Sequence, residues 1–218
     1  MQQMDIFADS LDVMARNDVV DAILRRDAGQ ARAAVARLVA HYPDDNALPA
    51  LGTLIRALDV VSSSITDHAS LAAARGTLEH EITPAAGRAL PASAVQAWLA
   101  PCWRALALRA AGLPFDAGSA DCHPAALWLQ AADWVAAQEA VARIPSWRRI
   151  PVPLAWMTEA RFRLDGLDAT WPLLAELAWL SPARFVALSD RLGDKLLDAL
   201  RRQFDAEFAG AGDTFDAA

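Results

Sequence analysis

Between Gln30 and Tyr42 the apolar positions Ala31, Ala34, Val35, Leu38 and Tyr42 recur every three or four residues, with Arg32 and Arg37 between them. That spacing returns to one side of a helix, so the stretch predicts an amphipathic helix. A helix from about Ser10 to Arg26 precedes it, with Ser10 placed to cap its start and "DAG" to end it at Gly29. "PDDN" (43–46) and "SSS" (62–64) break the pattern. Helices over about 47–61 and 67–81 follow, and "TPAAGRALPAS" (83–93) reads as a connector. "AVQAWLAPCWRALALRAA" (94–111) is helical in pattern, but Pro101 lacks an amide hydrogen, which predicts a kink or two short helices.

"GLPFDAGSADC" (112–122) is the longest loop-like stretch and the best boundary. Beyond it the pattern predicts helices over 124–132, 134–143, 154–164 and 168–180. A proline-stiffened loop (144–153) and the pair Asp165–Gly166 separate them. Ser181 is placed to cap a helix that opens with Pro182. A last amphipathic helix covers about 190–208, and "GAGDTFDAA" (210–218) reads as a disordered tail. Links this short force consecutive helices into antiparallel pairs.

Composition agrees with an all-α chain. Fifty alanines and twenty-eight leucines dominate its 218 residues, and both are strong helix formers. A net charge of −7 disfavours nucleic-acid binding, since phosphate would be repelled. The start carries acids where a signal peptide needs basic and then apolar residues. The longest uncharged apolar run, "ALPASAVQAWLAPCW" (89–103), is too short to span a membrane and holds two prolines. Cys102 and Cys122 are the two cysteines, expected to be reduced thiols in a cytoplasmic protein.

"AADWVAAQEAVARIP" (131–145) and "DGLDATWPLLAELAWLSP" (165–182) look like one unit written twice. With Ala132 set on Gly166, Ala137, Val141 and Ile144 fall on Trp171, Ala175 and Ala178, each set at i, i+4, i+7. A 34-residue helix–turn–helix period resembles the tetratricopeptide repeat. "LRRDAGQARAAVARLVAHYPDD" (24–45) resembles the second half of such a unit, with Gly29 lying 103 residues before Ala132. The resemblance covers about 122–182 and 24–46, while the early Trp, the Leu–Gly pair and the Tyr of the consensus are mostly absent. It implies antiparallel hairpins stacked as a TPR-like right-handed α-solenoid; another α-helical bundle is the alternative. The array would comprise N-terminal hairpins (1–112) and Trp-rich C-terminal repeats (123–209).

Little in the chain points to catalysis. Cys122–His123 has no CxxC, HxxxH or HExxH to complete a metal site and reads as packing ahead of a helix. In "LEHE" (78–81) the two glutamates are two apart on a helix and do not share a face, so a solvated helix end is expected. No phosphate-cradling glycine loop or GxSxG occurs. No enzyme, metal or cofactor is expected.

The eight tryptophans all lie within 98–179. Trp134 and Trp171 fall on or near the repeated stripe and are expected in the core. Trp147 sits beside Arg148 and Arg149 in the proline-rich loop. In the family resembled, first helices line a concave groove, which implies groove positions at Trp156, Ala160 and Arg163. Arg148, Arg149, Arg161 and Arg163 form a local basic cluster, with Glu159–Arg163 as a candidate i,i+4 pair. The candidate partner-binding residues are Trp147, Arg148, Arg149, Trp156 and Arg163. The expectation is a non-enzymatic scaffold or adaptor that binds a peptide, a protein or itself. The alternative is a Trp-lined pocket for a small apolar or aromatic ligand.

Overall fold

Asp27 and Asp133 each open a helix by accepting a hydrogen bond from the amide three residues on, Gln30 at 2.9 Å and Ala136 at 3.3 Å. An aspartate cap satisfies one of the amides that a helix start leaves without a partner. The computed structural model describes residues 6–59 and 63–208; the 210–218 stretch expected to be disordered lies outside them. Among the described residues about 81% are helical and no strand occurs. The chain forms two compact units, Met1–Gly112 and Leu113–Ala218.

In the first unit, α1 (Ile6–Leu24) packs on α2 (Ala28–His41), and α2 on α3 (Leu48–Ala57). Then come α4 (His68–Thr77), α5 (Thr83–Ala89) and α6 (Ala92–Arg109), with α5 against both α3 and α6. Ser10, expected to cap α1, lies inside it, and α1 ends at Leu24 rather than Gly29. Most of the stretch expected as a connector is helical instead, with a break only at Leu90–Pro91. Leu78–Ile82 forms one π turn, in which the Thr83 amide donates to the Leu78 carbonyl five residues back. That wider turn carries the helix into Thr83–Pro84, so the proline sits in the first turn of α5, where its missing amide hydrogen costs little. Nor does Pro101 divide α6, which runs unbroken from Ala92 to Arg109.

The second unit holds α7 (Pro124–Gln130), α8 (Trp134–Ala142), α9 (Pro151–Leu180), α10 (Pro182–Leu192) and α11 (Lys195–Phe208). Gly166 breaks α9 at φ +81°, ψ −176°, where the Asp165–Gly166 break was expected. The single helix expected over 190–208 is two: Gly193, at φ +62°, ends α10, and the Asp194 side chain accepts from the Leu196 and Leu197 amides to start α11. Ser181 occupies the cap position of α10 without a side-chain cap bond. The core gathers Ala140, Val141, Ile144, Leu154, Trp156, Leu174, Leu177 and Leu188. Buried hydroxyls are satisfied within their own helix: Thr158 donates to the Leu154 carbonyl at 2.7 Å and Ser189 to that of Phe185 at 2.9 Å.

Each unit opens with the same hairpin turn. The Asp27 amide donates to the Ala22 carbonyl and the Arg26 amide to that of Ile23; Asp133 donates to Trp128 and Ala132 to Leu129. This is a Schellman closure, which glycine usually completes because the residue at its corner is left-handed. Here Arg26 (φ +57°) and Ala132 (φ +54°) fill that corner. "RRDAGQARAAVARL" (25–38) and "AADWVAAQEAVARI" (131–144) align without a gap, 106 positions apart. Buried Ala31, Ala34 and Leu38 correspond to buried Ala137, Ala140 and Ile144. Gly29, expected at the turn, is inside α2.

The 34-residue alignment matches opposite faces. Ala137, Val141 and Ile144 are buried, but Trp171 and Ala175 are exposed and Ala178 is half-buried. Thr170, Leu173, Leu174 and Leu177 are the buried positions of α9 beyond Gly166, one residue earlier. One residue is about 100° of helix rotation, enough to turn a packing stripe towards solvent.

Candidate functional site

The first part of α9 begins at Pro151, whose ring suits a helix start. From Pro153 to Thr158 every residue is buried, and Ala160 with them. Helices α7, α8 and α10 all pack on α9. Over 153–158 the helix is covered on all sides and has no face left for a groove.

This corrects the expected position of Trp156, which is 8% exposed. Its indole stacks on His123 at 5.7 Å and 10°, and Phe115 meets it edge-on at 6.1 Å and 83°. His123 is buried and caps α7, its Nδ1 accepting from the Ala125 amide at 3.2 Å. Three aromatic rings from separate stretches thus pack together against the core. Ala160, also expected in the groove, is fully buried.

The other four candidates do not assemble around Trp156. Trp147 is half-buried and packs on the core. Arg148 makes a two-pronged ion pair with Glu176 of α9. The hydrogen bonds from Arg148 hold the Glu176 carboxyl below its usual range, and the same bonds raise the Arg148 guanidinium. Arg149 is exposed. Arg163 lies over the half-buried Trp134 ring at 5.9 Å and donates to the Arg191 carbonyl at 3.1 Å, near the end of α10. A cation suits a helix C-terminus, where carbonyls carry partial negative charge. The expected Glu159–Arg163 pair does not form. Glu159 pairs with Arg191 at 2.8 Å instead.

The tryptophans open to solvent lie elsewhere. Trp171 is 48% exposed and Trp179 74% exposed, so the expectation that Trp171 is core does not hold. They stand two helical turns apart on one face of α9, with exposed Ala175 between them. Leu173, Leu174 and Leu177 occupy the opposite, buried side. A helix-period plot of 167–180 holds this signal, but the 34-residue alignment conceals it by a one-residue register. The Arg148–Glu176 pair borders the stripe, because Glu176 follows Ala175.

Two depressions in the first unit, of about 330 and 460 Å³, carry charged side chains and hold no tryptophan. One is lined by Asp18, Asp21, Arg25 and Arg37, the other by Arg16, His41 and Asp45 among others. His80 and Glu81 of the "LEHE" stretch are exposed, and Glu79 pairs with Arg75 at 2.8 Å. No three His, Cys, Asp or Glu side chains come together as metal ligands among the described residues. Cys102 and Cys122 are half-buried free thiols. No helix among the described residues is long and apolar enough to cross a membrane. No family model, curated protein or solved structure matches the chain.

Proposed function

We propose that the chain is a non-enzymatic, cytoplasmic protein-interaction module of stacked, tetratricopeptide-like helical hairpins, binding through the Trp171–Trp179 face of α9. One observation carries this reading: two tryptophans with large exposed area lie on one helix face around a small residue, while Trp98, Trp103 and Trp156 are each at most 8% exposed. Indoles supply much contact area at little entropic cost and dominate interface energetics. Contiguous exposed apolar surface on a folded protein marks an interaction site. Arg148 and Glu176 then form a polar rim beside the stripe, with Arg149 and Trp147 on the adjoining loop. Net charge of −7 favours a protein or peptide partner over nucleic acid.

The test is affinity capture with the wild-type chain and with Trp171→Ala/Trp179→Ala. Loss of the captured partner from the double variant is expected. An unchanged captured set overturns the reading. Arg148→Glu should weaken capture without abolishing it, as rim charges do.

A further inference from the structure

We infer that the partner for this face is a second copy of the same chain, docked antiparallel with Ala175 at the two-fold axis. The inference rests on Trp171 and Trp179 being a contact face, and goes further by naming what covers it. An isologous dimer needs a patch that is its own complement. The stripe has that symmetry: Trp171 lies four residues before Ala175 and Trp179 four residues after. When two such helices run antiparallel about Ala175, each Trp171 meets the other copy's Trp179. The two alanines face each other and allow the backbones to approach closely.

Charge supports the same register. Asp168 is exposed seven residues before Ala175 and so shares its face. Arg184 is exposed in the first turn of α10, just past the other end of the stripe. Neither has an ion-pair partner among the described residues. Two-fold pairing brings each Asp168 to the end where the other copy's Arg184 lies, giving two complementary rim contacts. The indoles alone offer about 300 Å² per copy, against about 800 Å² in a standard interface. An interface this small should make the dimer concentration-dependent.

Sedimentation velocity on the purified full-length chain from about 1 to 200 μM tests it, with far-UV circular dichroism as the folding control. Wild type should pass from monomer to dimer across this range. Ala175→Arg, at an exposed position, should stay folded and weaken the dimer at least about 100-fold. Asp168→Arg should weaken it by about 5-fold, and Asp168→Arg/Arg184→Asp should restore it. A monomeric wild type at 200 μM, or an undiminished dimer in Ala175→Arg, overturns the inference. Failure of the charge exchange to restore affinity overturns the antiparallel register. A monomeric wild type whose captured partners still depend on Trp171 and Trp179 removes the second copy and leaves the interaction reading standing.

Discussion

Arg26 and Trp98 join the α1–α2 turn to α6 through two hydrogen bonds that run in opposite directions. The Arg26 guanidinium donates to the Trp98 carbonyl at 2.8 Å and lies 5.1 Å from the centre of its indole. The Trp98 Nε1 donates to the Ile23 carbonyl at 2.9 Å, in the turn that Arg26 completes. Trp98 is 4% exposed while Arg26 is itself exposed, so the contact is dry on the indole side and wet on the guanidinium side. The latch ties the α1–α2 turn to α6 and holds an arginine in a left-handed conformation that costs about 1–2 kcal/mol.

Arg26→Ala should therefore destabilise the first unit by about 1–3 kcal/mol, because the latch goes and the strain stays. Arg26→Gly should be milder, since glycine accepts the left-handed corner freely. Urea unfolding ranks the two. A glycine variant less stable than the alanine variant would sink this account.

Trp156 and Trp179 should respond oppositely to truncation. Trp156→Ala removes an indole from the core and should cost about 3–5 kcal/mol. Trp179→Ala should change monomer stability by no more than about 0.5 kcal/mol. Thermal melts at low micromolar concentration give both numbers. Iodide quenching that fails to diminish on loss of Trp179 would contradict its exposure.

Gly166 should resist replacement although it has room. An added Cβ would meet no heavy atom within 4 Å, yet φ +81° with ψ −176° is open almost only to glycine. Gly166→Ala should cost about 1–3 kcal/mol from backbone strain alone. Gly193, in the ordinary left-handed region at φ +62° and ψ 29°, should tolerate Asn with a far smaller loss. Equal losses by chemical denaturation would refute the distinction.

The Arg148–Glu176 pair predicts a weak acid-side dependence. The folded-state pKa of Glu176 lies below its unfolded value, so its contribution is present above the unfolded pKa. It is lost as pH falls through the lower folded one. Both side chains are substantially exposed, which keeps the effect small. Melting temperatures of wild type and Glu176→Gln, followed from pH 7 to pH 3, should converge at the acid end. A constant gap across that range would show that the ion pair contributes nothing.

Much of the helical order was legible in the chain. The α2 stripe, the Pro-initiated α7 and the Asp165–Gly166 break follow from spacing and punctuation, which act over a few residues. The π turn at Leu78–Ile82 was not legible, because one extra residue in a turn leaves composition and periodicity almost unchanged. Trp156 was misplaced for a different reason. Whether an Ala/Leu-rich helix lies at an edge or at the centre depends on how many helices surround it, which no local pattern encodes. Trp171 was assigned to the wrong side because equal turn spacing does not guarantee equal helix phase. The shared Arg26 and Ala132 turns were hidden because neither corner carries the glycine that marks such a turn.

The uninterrupted burial of Pro153–Thr158 gives the second unit an uneven resistance to opening. Amide hydrogens there can exchange with solvent only when α7, α8 and α10 come away together, so their exchange tracks unfolding of the whole unit. Beyond Gly166 the same helix keeps Leu173, Leu174 and Leu177 in the core but has one wet side. A single helix thus serves as the slowest-exchanging anchor at one end and as an adaptable surface at the other, with one glycine separating the two behaviours.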